Sequence, residues 1–351
     1  IAACSNRYKT EVFDFQENIL LERVNIREQV AWSLEPNHED TQMAAEDYLR
    51  MGITKIKNIT VPEPYLNENI SSDILVLGGG ISGITAAIEG AKAGYTIHLV
   101  EKESVLGGWS AKLYKQIPSK APFNQLSEPI IIEKLKELKN YDNIKVYTST
   151  ALKNTKGEPG NFEVTLSNND ILKVGSIVTT LGWKPYNAEK LGHLGYGRLK
   201  NVMTSIEFEE KIKDNPKTKL PKNILFIQCA GSRDKDHLPY CSSYCCGTSL
   251  KQAKYIRENN PEANIFIVYK DIRTLGLYEE FYKETQKDDQ LFFTKGEIES
   301  VEQGNNSIQI QVKETLIGEN ILIEADLVIL ATGMTPNSSE ALELEYRLGK
   351  G

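Results

Sequence analysis

The chain has 351 residues, of which 40% are hydrophobic and 25% charged, and its formal net charge is −7. This length and composition predict a globular protein with two or more domains and argue against a disordered chain. The acidic balance, the lack of an apolar run near the roughly 20 residues that span a bilayer, and the lack of a signal-peptide pattern argue against nucleic-acid binding, a membrane span and secretion, so a cytoplasmic protein is expected.

Residues 1–70 are predicted to be an N-terminal segment and linker, the end of an upstream domain. Apolar residues such as Met43, Ala44 and Met51 recur at helical spacing, which predicts a helix in this segment. Two prolines and several polar residues then mark a linker at 61–70. Because the chain opens without Met and closes on a polar run, it is expected to be a fragment cut at both ends.

A strand, a glycine turn, a helix and a second apolar strand follow at 73–103, and they predict a βαβ unit. Gly78 suits a tight turn, Gly80 lets a pyrophosphate approach the backbone, and Gly83 lets the helix pack on the strand. Glu101 stands about 20 residues on, where a carboxylate accepts the ribose hydroxyls. The combination predicts a dinucleotide-binding domain.

FAD is favoured over NAD because a second glycine pair follows Glu101 closely and because two later strands end in similar turns, TTLGWKP and LATGMTP. This arrangement resembles the two-dinucleotide-binding-domain flavoproteins of the glutathione and thioredoxin reductase type, an α/β fold. The family's last flavin-contacting Gly-Asp segment is not found before Gly351. The predicted FAD contacts are Gly78, Gly80, Ile81, Ser82, Gly83, Glu101, Lys102, Gly108, Trp109, Leu152, Thr180 and Gly182.

Further elements are predicted as a helix at 128–140 and as strands at 144–148, 162–166 and 176–180. A second βαβ unit is predicted after a capped helix at 205–213. Its strand ILFIQ leads into CAGSRDKDHLPYCSSYCC, then a helix and the strand NIFIVY, with another helix near 278–287. Since no glycine-rich cradle follows this strand, a pyridine nucleotide is not expected to bind there.

Four cysteines occupy the turn of this second unit, spaced C-x11-C-x3-C-C. Zinc normally uses C-x2-C knuckles, and a redox pair normally uses C-x-x-C, so neither spacing matches. Inert buried cysteines are not expected to cluster in a polar loop. A four-iron cluster binds four thiolates on four different irons, which suits adjacent, diverging cysteines. The spacing favours a [4Fe-4S] cluster, with zinc, a disulfide and inert thiols as open alternatives.

The motif CAGSRDKDHLPYCSSYCC with the following SLKQA resembles the A subunits of heterodisulfide reductases, and so do AACSNR, NIREQVAW, KDIRTLGLYEEFY and ATGMTPN. The resemblance implies that Cys229, Cys241, Cys245 and Cys246 bind a [4Fe-4S] cluster beside FAD. It also implies that Lys251 lies near the flavin ring and that Glu207 is an acidic residue that approaches it, with Glu209 as the competing choice.

Two departures from that family concern cysteines. Methanogen members carry ferredoxin-type cysteine runs and a cysteine segment after the glycine pair, and both are missing here, so further clusters within this chain are not expected. Cys4 matches a family cysteine near an upstream cluster domain; an orphaned ligand and a plain buried cysteine are both open.

The predicted organisation is an FAD domain at 71–186, a second Rossmann-like domain with the iron–sulfur motif at 187–330, and a return to the FAD domain at 331–351. The expected protein is an FAD-dependent oxidoreductase of anaerobic metabolism, the electron-transfer subunit of a heterodisulfide-reductase-like complex with electron bifurcation as an expectation from the resemblance. Its expected partners in a hetero-oligomer are sister subunits, a ferredoxin, or a hydrogenase or dehydrogenase subunit. The alternatives are an NAD(P)H-dependent disulfide oxidoreductase and a zinc-stapled flavin-binding scaffold.

Overall fold

The computed structural model describes residues 2–3, 5, 19–60 and 70–337. The chain forms two compact units, Ile1–Glu68 and Asn69–Gly351. None of the described helices is both long enough and apolar enough to cross a membrane. Cys4, most of the predicted linker and the residues after 337 lie outside the described residues.

The first unit contains the helix that its apolar spacing predicts. This helix, α1 (Glu39–Asn58), is capped by His38, whose ring nitrogen accepts a hydrogen bond from the Asp40 N–H at 3.3 Å. Acidic residues in its first turn and lysines in its last turn complement the helix dipole. The described strands here are short, β1 (Ala2–Ala3) and β2 (Val24–Asn25), and they pair in parallel.

The second unit begins with a four-stranded parallel sheet, named here the first sheet, in the order β5-β4-β3-β9. The predicted βαβ unit is confirmed, because β3 and β4 pair in parallel and α2 connects them. The elements are β3 (Ile74–Leu77), α2 (Ile81–Lys92), β4 (Ile97–Val100), α3 (Gly108–Lys112), α4 (Ile131–Leu138), β5 (Ile144–Tyr147) and β9 (Ser176–Thr179).

Side chains of the first sheet alternate between two cores. Val76 packs with residues of α2, including Ile84 and Ile88. Leu75 and Leu77 face a three-stranded antiparallel sheet, whose side chains cover the opposite face. The strands of that sheet are β6 (Leu152–Glu158), β7 (Asn161–Leu166) and β8 (Ile171–Val174).

A seven-stranded sheet, named here the second sheet, has the order β11-β17-β12-β13-β14-β15-β16. The predicted second βαβ unit is confirmed, since β12 and β13 pair in parallel and α6 connects them. The strands are β11 (Val202–Thr204), β12 (Asn223–Ala230), β13 (Asn264–Tyr269), β14 (Leu291–Gln303), β15 (Ile308–Glu314), β16 (Asn320–Ala325) and β17 (Leu327–Thr332), and the helices are α5 (Ser205–Asp214), α6 (Cys245–Asn259) and α7 (Tyr278–Thr285).

The faces of the second sheet are also divided by alternation along β12. Ile224 and Phe226 pack in one core with Leu250 and other residues of α6. Leu225 and Ile227 belong to the core on the opposite face. The helix α6 therefore lies on the face to which Phe226 points.

Two short strands join the regions around the two sheets. Strand β10 (Trp183–Pro185) pairs antiparallel with β18 (Met334–Pro336), and this pair is called the crossing ribbon below. Each strand directly follows one of the two glycine turns, TTLGWKP and LATGMTP. The ribbon brings the ends of β9 and β17 together.

Candidate functional site

The glycine turn after β3 excludes side chains at two of the three glycines of the predicted fingerprint, Gly78, Gly80 and Gly83. A Cβ at Gly78 would overlap the Thr180 carbonyl, and Gly78 has φ 104°, which favours glycine. A Cβ at Gly83 would overlap the Gly78 carbonyl, so this glycine lets α2 pack on the turn. A Cβ at Gly80 would meet no atom within 4 Å, so the space beside Gly80 is open to a ligand.

Glu101 is held at the carboxyl end of β4 by backbone donors. Its side chain is 7% exposed, and it accepts hydrogen bonds from the N–H groups of Gly79 at 2.6 Å and Glu103 at 2.8 Å. Each carboxylate oxygen keeps a further lone pair. The carboxylate is thus fixed beside the glycine turn and still able to accept a ribose hydroxyl.

The glycine pair at 107–108 closes over the same turn. Gly107 donates its N–H to the Gly79 carbonyl at 2.7 Å, and its φ is 114°. A Cβ at Gly108 would lie 3.1 Å from the Gly80 Cα. The two glycine segments therefore approach each other closely, as a cradle for a pyrophosphate requires.

These segments border a cleft of about 1270 Å³, called the FAD cleft below. Eleven of the twelve predicted FAD-contacting residues line it: Gly78, Gly80, Ile81, Ser82, Glu101, Lys102, Gly108, Trp109, Leu152, Thr180 and Gly182. Gly83 lies behind them, against the Gly78 carbonyl. Lys213 and Asn337 also line the cleft. Lys213 belongs to α5 and Asn337 follows β18, so neither residue is close in sequence to the glycine turn and no local pattern predicts them.

An aromatic stack stands at one end of the FAD cleft. Trp109 stacks on Trp183 with ring centroids 4.8 Å apart, and its indole N–H donates to the Trp183 carbonyl at 2.7 Å. Lys112 places its ammonium 4.2 Å from the Trp109 ring centroid. Tyr244 contacts Trp183 as well, at 5.6 Å between centroids. Because Tyr244 directly precedes Cys245, the stack runs from the cleft to the cysteine motif.

The four cysteines lie at the carboxyl end of β12, where the turn of a dinucleotide-binding βαβ unit would be. The ladder between β12 and β17 shifts register between Ile227 and Ala230, and Cys229 takes φ 56° within this bulge. Cys245 and Cys246 are the first two residues of α6, where the helix dipole favours negative charge. The residues from Cys229 to Tyr244 are called the cysteine loop below.

Burial makes the innermost thiols hard to ionise. It raises the pKa of Cys245 to about 12, with smaller contributions from Cys246, Cys229 and Cys241. Burial also raises the pKa of Cys246 and of Cys229. Thr332, whose carbonyl contacts Cys245, pairs with Ala230 next to Cys229, so the fold brings these two cysteines close together.

The thiols contact backbone groups rather than one another. Cys245 donates to the Thr332 carbonyl at 3.3 Å, and the Ser243 N–H donates to the Cys241 sulfur at 3.4 Å. All four are free thiols. Among the described residues no group of three or more His, Cys, Asp or Glu side chains is gathered tightly enough to hold a single metal ion. A cluster with four irons at separate corners places its ligands farther apart than one ion does.

Several buried polar groups in and around the cysteine loop have no hydrogen-bond partner in the described part of the chain, and they indicate whether an anionic group could be bound there. The side chains of Gln228, Ser232 and Thr332 are 5%, 2% and 4% exposed, and each has polar atoms with no hydrogen-bond partner in the described structure. One guanidinium nitrogen of Arg233 is also buried and has no partner among the described residues. Such donors are costly unless a ligand accepts from them, so the residues present fit a sulfur-rich anionic cluster.

The two residues predicted to be catalytic, Lys251 and Glu207, differ in burial and in hydrogen-bond partners. Lys251 is 3% exposed, and its ammonium donates to Glu209 at 2.8 Å and to the Lys115 carbonyl at 2.9 Å. Burial lowers the pKa of Lys251, and Glu209 opposes that shift. Lys251 is absent from the lining of the FAD cleft, which Lys112 and Glu210 reach.

Glu207 caps its own helix. It completes the capping box that its spacing from Thr204 predicts, accepting from the Thr204 N–H at 2.7 Å, and it accepts from the Tyr196 hydroxyl at 2.8 Å. The carboxylate beside Lys251 belongs to Glu209, the competing choice. The helical period explains why the two glutamates have different partners. Glu207, at the N3 position of α5, faces the cap of the helix, whereas Glu209 faces α6.

Comparison with known proteins supports the flavoprotein interpretation. Residues 73–172 match the FAD dependent oxidoreductase family. The chain is 29% identical, over 97% of its length, to the second of two iron-sulfur A subunits of the CoB--CoM heterodisulfide reductase of Methanopyrus kandleri, and 28% identical, over 90%, to the corresponding iron-sulfur A subunit of Methanocaldococcus jannaschii. The resemblance to the A subunits of heterodisulfide reductases and the class of FAD-dependent oxidoreductase are thereby confirmed.

The chain spans 66% and 62% of the length of these two relatives. Among solved structures, the thioredoxin reductase of Lactococcus lactis matches with a TM-score of 0.53 at 15% identity, over 79% of this chain and 82% of that one. This match confirms the predicted fold class.

Proposed function

We propose that this chain is an FAD- and [4Fe-4S]-containing electron-transfer subunit of a heterodisulfide-reductase-like complex. The observation that carries the proposal is the position of the cysteine loop, which takes the place of a nucleotide-binding turn and adjoins the aromatic stack at the end of the FAD cleft. The match to the FAD dependent oxidoreductase family supports the flavin half. The names of the relatives, which are iron–sulfur subunits, support the cluster half.

Cys229, Cys241, Cys245 and Cys246 would hold the cluster, and the residues that line the FAD cleft would hold FAD. A flavin beside an iron–sulfur cluster converts two-electron into one-electron transfer. The protein's part is to place the two sites together and to keep water from the space between them. The rings of Trp109, Trp183 and Tyr244 connect the FAD cleft to the cysteine loop.

The buried pair of Lys251 and Glu209 is proposed as the positioning device between the sites. Lys251 lies on α6, which begins with two of the cysteines, and Glu209 lies on α5. Glu209 also accepts from the Tyr114 N–H at 2.9 Å, and Tyr114 follows α3 at the FAD cleft. The pair therefore ties the cysteine helix to the segment that lines the flavin site. A direct catalytic role of Lys251 and Glu207 stays a prediction.

Sister subunits or electron-transfer proteins in a cytoplasmic hetero-oligomer are the proposed partners. The relatives support this proposal by their names, one of which is the A subunit of the H(2)/formate:CoB-CoM heterodisulfide,ferredoxin reductase of Methanococcus maripaludis. Electron bifurcation belongs to the same proposal. Its support is the similarity to these proteins.

Anaerobic purification followed by iron, sulfide, zinc and flavin analysis tests the proposal. We expect about four irons and four sulfides per chain, in line with one four-iron cluster, together with FAD. In Cys245→Ala the EPR signal of the reduced cluster should disappear while FAD stays bound, because the FAD cleft is lined by other residues. Cys4→Ala, which removes a thiol outside the motif, is the control.

Zinc in place of iron would contradict the proposal and favour a zinc-stapled scaffold. Rapid reduction of the flavin by NADPH alone would favour a disulfide oxidoreductase. An unchanged EPR signal in Cys245→Ala would remove Cys245 from the ligand set.

A further inference from the structure

Gln228 is a buried amide that lacks any hydrogen-bond partner in the described structure. It directly precedes Cys229, is 5% exposed, and leaves both its amide nitrogen and its amide oxygen unpaired. It lies in the bulge of β12 between Ile227 and Ala230, together with Cys229, the first cysteine of the motif. A buried and unpaired amide is therefore the immediate neighbour in the chain of a proposed cluster ligand.

Arg233 is a half-buried cation within the cysteine loop. It takes φ 53°, and one of its terminal nitrogens donates to the Asp271 carboxylate at 2.8 Å. The other terminal nitrogen is buried and has no partner among the described residues. Burial raises the pKa of Cys229 and of Cys246, and the Arg233 guanidinium opposes that rise at both thiols.

Asp271 follows β13, the strand beside β12, and contacts both Arg233 and Cys246. Its carboxylate also pairs with Lys295 at 3.5 Å, and its backbone carbonyl is 3.9 Å from the Cys246 sulfur. Arg233 and Cys246 are therefore anchored to one residue. The terminal nitrogen of Arg233 that has no partner among the described residues is buried within the cysteine loop, which also contains Cys229 and Cys241.

We propose that Arg233 and Gln228 donate hydrogen bonds to the sulfur atoms of the cluster bound at the four cysteines and thereby raise its reduction potential. Reduction adds one electron to a group that is already anionic, so positive charge and N–H donors stabilise the reduced form more than the oxidised form. The inference rests on the proposed function, and it assigns to these two residues the tuning of electron flow between flavin and cluster.

The test is an EPR-monitored redox titration of the FAD-loaded protein, with iron and sulfide content measured on each sample. Arg233→Met and Gln228→Leu should each shift the midpoint potential of the cluster to more negative values. Arg233→Lys keeps the charge and loses the planar fork, so its potential should lie between those of Arg233→Met and the unchanged protein.

Two substitutions serve as matched controls. Arg198→Met removes an arginine that pairs with Glu302, at 3.1 Å, on another part of the second sheet. Thr155→Val removes an unpaired buried hydroxyl from the three-stranded sheet. Neither should move the potential.

A cluster that is retained with an unchanged potential in both Arg233→Met and Gln228→Leu would overturn the inference, and so would equal shifts in the controls. If Arg233→Met loses iron, Arg233→Lys decides: a potential equal to that of the unchanged protein contradicts the role of the guanidinium. Absence of iron and sulfide from the unchanged protein would instead refute the proposed function itself.

Discussion

At the scale of single residues, two glutamates of α5 show how position on a helix separates structural from interior roles. Glu207 is exposed and accepts from the cap of its own helix, whereas Glu209 is 5% exposed and accepts from Lys251, Gln252 and Tyr255. They stand two residues apart, which on a helix turns the side chains to different faces. The same chemical change at the two positions therefore has different consequences.

Glu209→Gln should destabilise the protein by about 3 kcal/mol, because it leaves the Lys251 ammonium buried without its counter-charge. Glu207→Gln should stay within about 0.5 kcal/mol, because glutamine can also complete a capping box on an exposed helix face. The measurement is the urea unfolding midpoint of the two purified variants. Equal losses at both positions would contradict a buried ion pair as the source of the difference.

At the scale of elements, the turn between β3 and α2 assigns different tasks to its glycines. Gly83 is needed by the protein itself, since its missing side chain lets α2 pack on the turn. Gly80 has ordinary backbone angles, φ −77° and ψ −175°, and open space around its missing Cβ. Its requirement for glycine arises only when a ligand fills the FAD cleft.

Gly80→Ala should fold as well as the unchanged protein but bind FAD at least tenfold more weakly, because its methyl group enters the space that the pyrophosphate needs. Gly83→Ala should lower the free energy of unfolding by about 1–3 kcal/mol even without FAD, since backbone must shift to relieve the overlap. FAD affinity from flavin fluorescence and the unfolding midpoint of the flavin-free protein separate the two effects. Undiminished FAD binding in Gly80→Ala would place the pyrophosphate elsewhere.

At the scale of the whole second unit, the crossing ribbon connects the cysteine loop to the FAD cleft. The Met334 N–H donates to the Ser242 hydroxyl at 2.9 Å, and the Tyr240 hydroxyl donates to the Met334 carbonyl at 3.0 Å. On the other strand, Trp183 lines the cleft. A change in the cysteine loop can therefore reach the flavin site through two paired strands.

Ser242→Ala should weaken FAD binding up to about tenfold, because an unpaired Met334 N–H costs about 1 kcal/mol and loosens the ribbon. Ser243→Ala is the matched control, since the Ser243 side chain is exposed on the same loop. The dissociation constant for FAD, measured for both variants, checks this expectation. A weaker affinity in both variants alike would point to the loop as a whole and not to the ribbon.

Local patterns predicted the βαβ units, the capping box of α5 and eleven of the residues that line the FAD cleft. Each depends on residues close in sequence: the glycine spacing is set by the shape of one turn, and Glu101 follows from the length of one unit. The position of the cysteine motif after β12 was also predicted from the sequence, because it depends only on residues that are neighbours in the chain. The similarity to the A subunits of heterodisulfide reductases followed from the same contiguous motifs.

Long-range packing decided the rest. Glu209 rather than Glu207 faces Lys251 because α5 and α6 meet at that point, and Lys213 and Asn337 reach the cleft because the crossing ribbon folds the second sheet's region against the first. The unpaired donors of Gln228 and Arg233 are defined by burial and by hydrogen-bond partners, which no sequence pattern indicates. Spacing along a chain carries the geometry of one turn or helix, whereas contacts between elements depend on how distant side chains fill the same space.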